Sequence, residues 1–244
     1  MVIKLEPDEV MALQKFKVVV GDLDEDDNVL IRFLRARDYD IPNAEKMLRN
    51  AVEWRKDIGI DNYLQWEFPP NYPSDLNWKY FGTDNDGAGI CWMVAGRSNL
   101  KAILDRGEYD SALRWSFVMM ETGLKLFAEC GIPGLVVVDM EDLPYNKATH
   151  IPSLKILYEG LQQFEKCYPE MAKKIMIINA PWVFTIVWNF VKGVFGQKTR
   201  DKIHIYNSSN KAEWFAEFLA SMPRESIPPE YRLDVFTSDN NNSN

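Results

Sequence analysis

Histidine is scarce in this chain, with only His150 and His204 among 244 residues. That shortage restricts metal centres and nucleophilic triads from the outset, and neither an HExxH run nor a Cys/His set with zinc spacing is present. His204 sits between Ile203 and Ile205 and reads as a satisfied sheet histidine. His150, just before Ile151-Pro152, reads as a loop residue or a helix start. The three cysteines, Cys91, Cys130 and Cys167, form no CxxC pair and lie in apolar surroundings, so buried free thiols in a reducing compartment are expected. Gly96-Arg97-Ser98-Asn99-Leu100 lacks the second glycine of a nucleophile elbow. Gly82, Gly87 and Gly89 match neither a dinucleotide nor a phosphate loop and precede a strand, where both motifs would follow one. Asp84 and Asp86 lack a twelve-residue calcium loop, so that stretch reads as a turn. A hydrolase built on Ser98 or Ser116 would have hardly any base to use. Catalysis, a metal and a cofactor are therefore not expected.

Positive charge is also short. Lys and Arg number 28 against 36 Asp and Glu, a net charge of −8, which argues against a nucleic-acid binder and makes any contact with anionic lipid local and transient. The first ten residues carry Glu6, Asp8 and Glu9 without a sustained apolar core, so neither a signal nor a transit peptide is expected. Val2 excludes N-myristoylation. The longest apolar run, residues 175–195, could span a bilayer by length. It is broken by Asn179-Ala180-Pro181, Trp188-Asn189 and Lys192-Gly193. The better reading is a buried strand at 175–178, a turn at 179–181, and an unusually apolar helix from Trp182.

The periodicity divides the chain. Residues 8–19, 27–37 and 42–56 repeat apolar side chains at helical spacing, and no strand signal appears before the turn-rich stretch at 69–75. Short apolar runs follow at 90–95, 135–140, 175–178 and 202–206, bounded by Gly, Pro, Asp or Asn as buried strands are. Between them, 112–127 and 154–164 are amphipathic at helical period, and a last helix is expected at 211–221. Strands alternating with helices imply an α/β fold with a mainly parallel sheet. No internal repeat is evident, and the polar end from Ser238 reads as disordered.

Asp27, Leu30-Ile31-Arg32-Phe33-Leu34-Arg35-Ala36-Arg37, Tyr39-Asp40, Ala44 and Trp54-Arg55-Lys56 together resemble the N-terminal helical signature of the CRAL-TRIO, or Sec14-like, lipid-binding family. The resemblance continues through Gly82 to Gly87, which is similar to that family's turn before its first strand. Tyr168-Pro169-Glu170, Ile177-Ile178-Asn179-Ala180-Pro181, and Thr199 with Lys202-Ile203 follow in order. Any one of these motifs is weak, but five in sequence are strong. It implies a helical bracket (residues 1–75), a lipid-binding domain (76–236) whose sheet floors a hydrophobic pocket, and a polar tail (237–244). It also implies that a helix from Trp182 to Phe195 gates the pocket, with Phe184, Ile186, Val187, Trp188, Phe190, Val191 and Val194 between them. The alternative is an ordinary core helix. The floor is expected to include Trp92, Val136, Val138, Ile177 and Ile205.

In phosphatidylinositol-binding members, three charged residues hold the head group, and the matching positions here are Arg37, Glu170 and Lys202. The structural alternative is a buried Arg/Glu pair bracing the bracket against the rest. The run Gly134-Leu135-Val136-Val137-Val138-Asp139 has no hydroxyl, unlike choline-lipid exchangers, which leaves room for a neutral cargo such as a retinoid, tocopherol, sterol-like molecule or squalene. Tyr231-Arg232-Leu233 departs from the two glycines usual after that aromatic. The expectation is a cytoplasmic, transiently membrane-associated protein that binds and transfers phosphatidylinositol or another hydrophobic ligand, with no nucleic-acid partner. A dedicated isoprenoid carrier, or a lipid-sensing module that binds a signalling partner, are the other readings.

Overall fold

The computed structural model describes residues 5–232; the expected polar tail at 237–244, the end of the second unit at 236, and Leu233 lie outside them. Three helices come first, α1 (Pro7–Val20), α2 (Asp27–Ala36) and α3 (Ile41–Ile58). Asp26 and Asp40 start α2 and α3 by accepting the backbone N–H of Val29 and Asn43, and Gly59 ends α3 at φ 65°, a conformation costly for any residue with a Cβ. Their inward faces form one core with Phe117, Met120 and Phe127 further along the chain, so bracket and sheet domain are packed together.

Helix α4 (Tyr72–Leu76) leads into β1 (Trp78–Thr83) and β2 (Gly89–Val94). Then come α5 (Leu100–Asp105), α6 (Tyr109–Cys130), β3 (Gly134–Asp139), α7 (Tyr145–Ala148), α8 (Ile151–Cys167), β4 (Ala172–Ala180), α9 (Phe184–Val191), α10 (Gln197–Asp201), β5 (Ile203–Asn207) and α11 (Lys211–Ser221). The strands lie in chain order β1-β2-β3-β4-β5; β1 runs antiparallel to β2 and the other neighbours are parallel. The sheet is mainly parallel because helices supply every connection after β2.

Strand β1 went unpredicted. It is an edge strand, half-buried at Trp78 and Tyr80 and exposed at the other four positions, so it lacks the continuous apolar run of the central strands. The glycine-rich turn is therefore the loop of a hairpin and follows the first strand rather than preceding it. Asp84 accepts the N–H groups of Asp86 and Ala88, and Lys173 pairs with both aspartates. The central strand is also longer than the expected 175–178. Lys173 and Lys174 hide its beginning, each neutralised by an acid, and Asn179-Ala180 belong to the strand and not to a turn.

Strict alternation gives the sheet two different faces. Ile90, Trp92, Leu135, Val137, Met176 and Ile178 form a dry core with Trp214 and Phe218 of α11. Tyr231 closes this face, stacked on Trp92 at 5.2 Å with its hydroxyl donating to Asp139 at 3.0 Å. Asp139 also accepts from Asn179, whose amide oxygen takes the Trp214 indole N–H. The opposite face is only partly filled.

Candidate functional site

Cys91, Met93, Val136, Val138, Ile175, Ile177 and Ile203, the alternate residues of β2 to β5, floor a cavity of about 280 Å³. Helices α6, α8 and α9 form its other walls, with Met120, Leu157, Leu161 and Phe164 among them. Polar groups are few, with Tyr80, Ser98, Lys101, Lys147 and Ser153 among them. Burial lowers the Lys147 ammonium from its ordinary value, and that ammonium donates to the Ser98 carbonyl at 2.7 Å. Burial pushes the Cys91 thiol up to about 12, so it lines the cavity as an unreactive apolar group. Cys167 is buried as well, whereas Cys130 is half-buried, at the end of α6.

Of the five expected floor residues, Val136, Val138 and Ile177 line the cavity. Trp92 does not: it points to the opposite face, because residue parity puts it with Ile90 rather than with Cys91 and Met93. Ile205 shares the cavity side of the sheet with its partner Ile177, but it lies on the edge strand and is 42% exposed, outside the cavity. The expected sheet histidine, His204, is likewise exposed. His150 caps α8, accepting the Ser153 N–H.

The expected gate segment divides by helical geometry. Phe184, Val187, Trp188 and Val191, at i, i+3, i+4 and i+7, line the cavity together with Phe195. Trp182, Ile186, Phe190 and Val194 do not, and Trp182 and Phe190 are 74% and 45% exposed. Trp182 precedes the helix, which begins at Phe184. Tyr145, 59% exposed, and Ile151, 70% exposed, extend this outer surface from α7 and α8, with Tyr145 beside Trp182 and Tyr158 edge-on to Phe190. No helix among the described residues is long and apolar enough to cross a membrane.

Arg37, Glu170 and Lys202, far apart in sequence, line one small cleft of about 40 Å³ with Glu165, Lys198 and Thr199. Arg37 is the residue that ends α2, and among the described residues its guanidinium donates only to the neighbouring Ala36 carbonyl at 2.8 Å. Glu170 has φ 57° after Pro169 and accepts from the Lys202 ammonium at 3.0 Å. Glu165 holds the cleft's far wall by accepting the Gly196 N–H and the Thr199 hydroxyl. Lys198 was not anticipated; its signal was its place one turn before Lys202 on α10. Phe164, Met171, Ala172 and Ile175 belong to both cleft and cavity, so the charged site opens directly beside the apolar one.

The brace between bracket and sheet domain is a different pair. Arg55 of α3 grips Glu121 of α6 with two bonds, at 2.6 and 3.1 Å, and the buried Tyr168 hydroxyl donates to the same carboxylate at 2.6 Å. Trp54 packs edge-on against Phe117 and Tyr168 beside them. Arg35 is also structural: with Tyr39 it holds Glu9 of α1. Arg37 alone of that arginine pair faces the cleft.

The family model described as the CRAL/TRIO domain matches residues 78–232, and that of its N-terminal domain matches residues 6–50. The chain belongs to the CRAL/TRIO family. Among its relatives, Patellin-6 of Arabidopsis thaliana is 27% identical over 224 residues, 87% of this chain. Protein real-time of Aedes aegypti is 27% identical over 92% of the chain, and that of Anopheles gambiae 30% identical over 72%. The matches cover 52%, 37% and 27% of those proteins, so this CRAL/TRIO chain spans from about a quarter to about half of their lengths. The crystal structure of Sfh5 shares the fold at a TM-score of 0.69 and 16% identity, covering 97% of this chain and 98% of that one.

Proposed function

We propose that this CRAL/TRIO domain binds an amphiphilic lipid, phosphatidylinositol in the first instance, and exchanges it with membranes without catalysis. The observation that carries this reading is the shared wall between the Arg37/Glu170/Lys202 cleft and the apolar cavity. An amphiphile needs that pairing of a charged and an apolar compartment. Arg37 and Lys202 would neutralise the phosphate, and Glu170 would accept from inositol hydroxyls. At about 40 Å³ the cleft has room for little more than water, so head-group binding requires Lys202 to leave Glu170 and α10 to move outward.

Each buried methylene is worth about 0.8 kcal/mol, so an acyl chain does not cross water at a useful rate without such a cavity. Helix α9 would act as the gate, opening where the exposed Tyr145, Ile151, Trp182 and Phe190 meet the bilayer. This makes the protein cytoplasmic and peripherally membrane-associated.

The test is lipid mass spectrometry of the purified protein joined to a transfer assay. Phosphatidylinositol is expected in the extract, and Arg37→Ala or Lys202→Ala is expected to abolish its transfer while any neutral cargo stays bound. Recovery of no phosphoinositide from a source containing it, or unchanged transfer by both variants, sinks the reading. A second reading rests on the hydroxyl-free cavity face of β3, Val136 and Val138: a neutral isoprenoid carrier. Its signature is a bound neutral lipid with transfer insensitive to both substitutions.

A further inference from the structure

A second built cavity lies on the other side of Glu170. It encloses about 320 Å³ between α2 of the bracket and the end of α6 with the turn at Gly131, Ile132 and Pro133. Val29, Leu124, Phe127, Ile132, Pro133 and Met171 make most of it apolar. Its acids are committed elsewhere: Asp26 caps α2, Glu121 holds Arg55 and Tyr168, and Glu170 holds Lys202. Arg35 on the same wall grips Glu9.

Two cations remain. Arg32 gives one N–H, from Nε, to the Asn28 carbonyl at 3.2 Å, and among the described residues it enters no ion pair. Burial holds its guanidinium below the ordinary arginine value although Asp26, Glu121 and Glu25 are near enough to oppose that shift. Lys125 lines the same cavity from the exposed side of α6 and likewise forms no ion pair among the described residues. Arg32 is half-buried where it lines this cavity, and its terminal N–H groups, which no carboxylate takes among the described residues, can meet an anion there in a charge-assisted pair.

We infer that this cavity is a binding site for a small amphiphilic monocarboxylate, whose two oxygens meet the Arg32 fork while its apolar body lies against Leu124, Phe127 and Ile132. Planar carboxylate matches guanidinium geometry. A single charge is favoured over a phosphate dianion because Asp26, Glu121 and Glu170 line the same walls. The volume, at the lower end for ligand pockets, suits a short-chain or aromatic acid and excludes a two-chain lipid. The site is separate from the lipid reading above and does not depend on it.

The experiment is calorimetric titration of the full chain with 4-phenylbutyrate, beside the uncharged 4-phenylbutan-1-ol. Saturable binding of the acid is expected, weakened roughly tenfold or more by Arg32→Gln through loss of the charged hydrogen bonds. Ile132→Trp, which fills the cavity and keeps Arg32 in the chain, is expected to abolish it; it also carries the test should Arg32→Gln not fold. Arg37→Ala, in the neighbouring cleft, is expected to leave binding unchanged, which keeps this test apart from the head-group reading. No saturable binding of the acid, equal binding of the alcohol, equal binding by Arg32→Gln, retention by Ile132→Trp, or loss in Arg37→Ala overturns the assignment.

Discussion

Glu9 shows how finely the arginines of the second helix are allotted. Its carboxylate accepts from Arg35 at 2.8 and 3.0 Å and from the Tyr39 hydroxyl at 2.6 Å; the Arg35 bonds lead, and together they hold its pKa at about 2 against an ordinary 4.5. A depressed folded-state value makes this contribution complete above about pH 4.5 and lost as pH falls towards 2. Its size is about 2 kcal/mol after allowance for partial exposure. Glu9→Gln is therefore expected to lower stability at pH 7 by about that amount and to flatten the stability curve between pH 4.5 and 2, as read by urea unfolding at several pH values. A variant with the wild-type acid slope would refute the pairing. Glu121 is a harsher case, since Glu121→Ala leaves the buried Tyr168 hydroxyl without its acceptor and the Arg55 guanidinium with Asp61, at 2.7 Å; about 2–3 kcal/mol of destabilisation is expected by chemical denaturation. Arg37→Ala removes a guanidinium that, among the described residues, bonds only its neighbour's carbonyl, and is expected to change stability by less than about 0.5 kcal/mol on the same measurement.

Helix α9 carries its division of labour around its circumference. The face at Phe184, Val187, Trp188 and Val191 belongs to the cavity, while Trp182 just before it and Phe190 on its outer side face water. Replacing Trp182 and Ile151 by Ser removes exposed apolar area without opening the core. Vesicle co-sedimentation is expected to fall roughly tenfold per residue, with the melting temperature held, given about 1.5–3 kcal/mol for each large apolar side chain buried in lipid. Undiminished sedimentation would mean that this surface does not meet the bilayer. Strand β3 makes the opposite point, because its first residue has no room to grow: a Cβ on Gly134 would lie 2.0 Å from the Phe127 ring. Gly134→Ala is expected to cost about 1–3 kcal/mol, and calorimetry checks it.

At the scale of the whole molecule, the two faces of the sheet are filled differently. The α11 face is sealed by Trp214, Phe218 and Tyr231, and the α9 face keeps its cavity. In the bracket, Arg55 of α3 is a brace and Arg37, the residue that ends α2, lines the cleft. A ligand bound only by the folded state adds RT ln(1 + [L]/Kd), about 2.7 kcal/mol at a hundredfold excess over Kd. Delipidation is thus expected to lower the melting temperature, and added phosphatidylinositol to restore it in the wild type but not in Lys202→Ala. Restoration in both would remove Lys202 from the head-group role.

Periodicity and punctuation by themselves determined the three bracket helices, the parallel strands, and the split of residues 175–195 into strand and helix. Each of these follows from local pattern, the 3.6-residue or two-residue repeat and the fixed φ of proline. Arg37, Glu170 and Lys202 were legible through motif resemblance, and only the fold brought the three into one cleft. What the sequence could not decide was parity and partnership. Trp92 and Cys91 are adjacent apolar residues, and only the register of β2 on β3 says which one faces the cavity. Arg35, Arg37 and Arg55 are alike as letters, and only the approach of α1 and α6 assigns Glu9 to the first and Glu121 to the last. Cavities, too, belong to tertiary structure alone, because an unfilled volume is set by how helices stand off a sheet and leaves no mark in the chain.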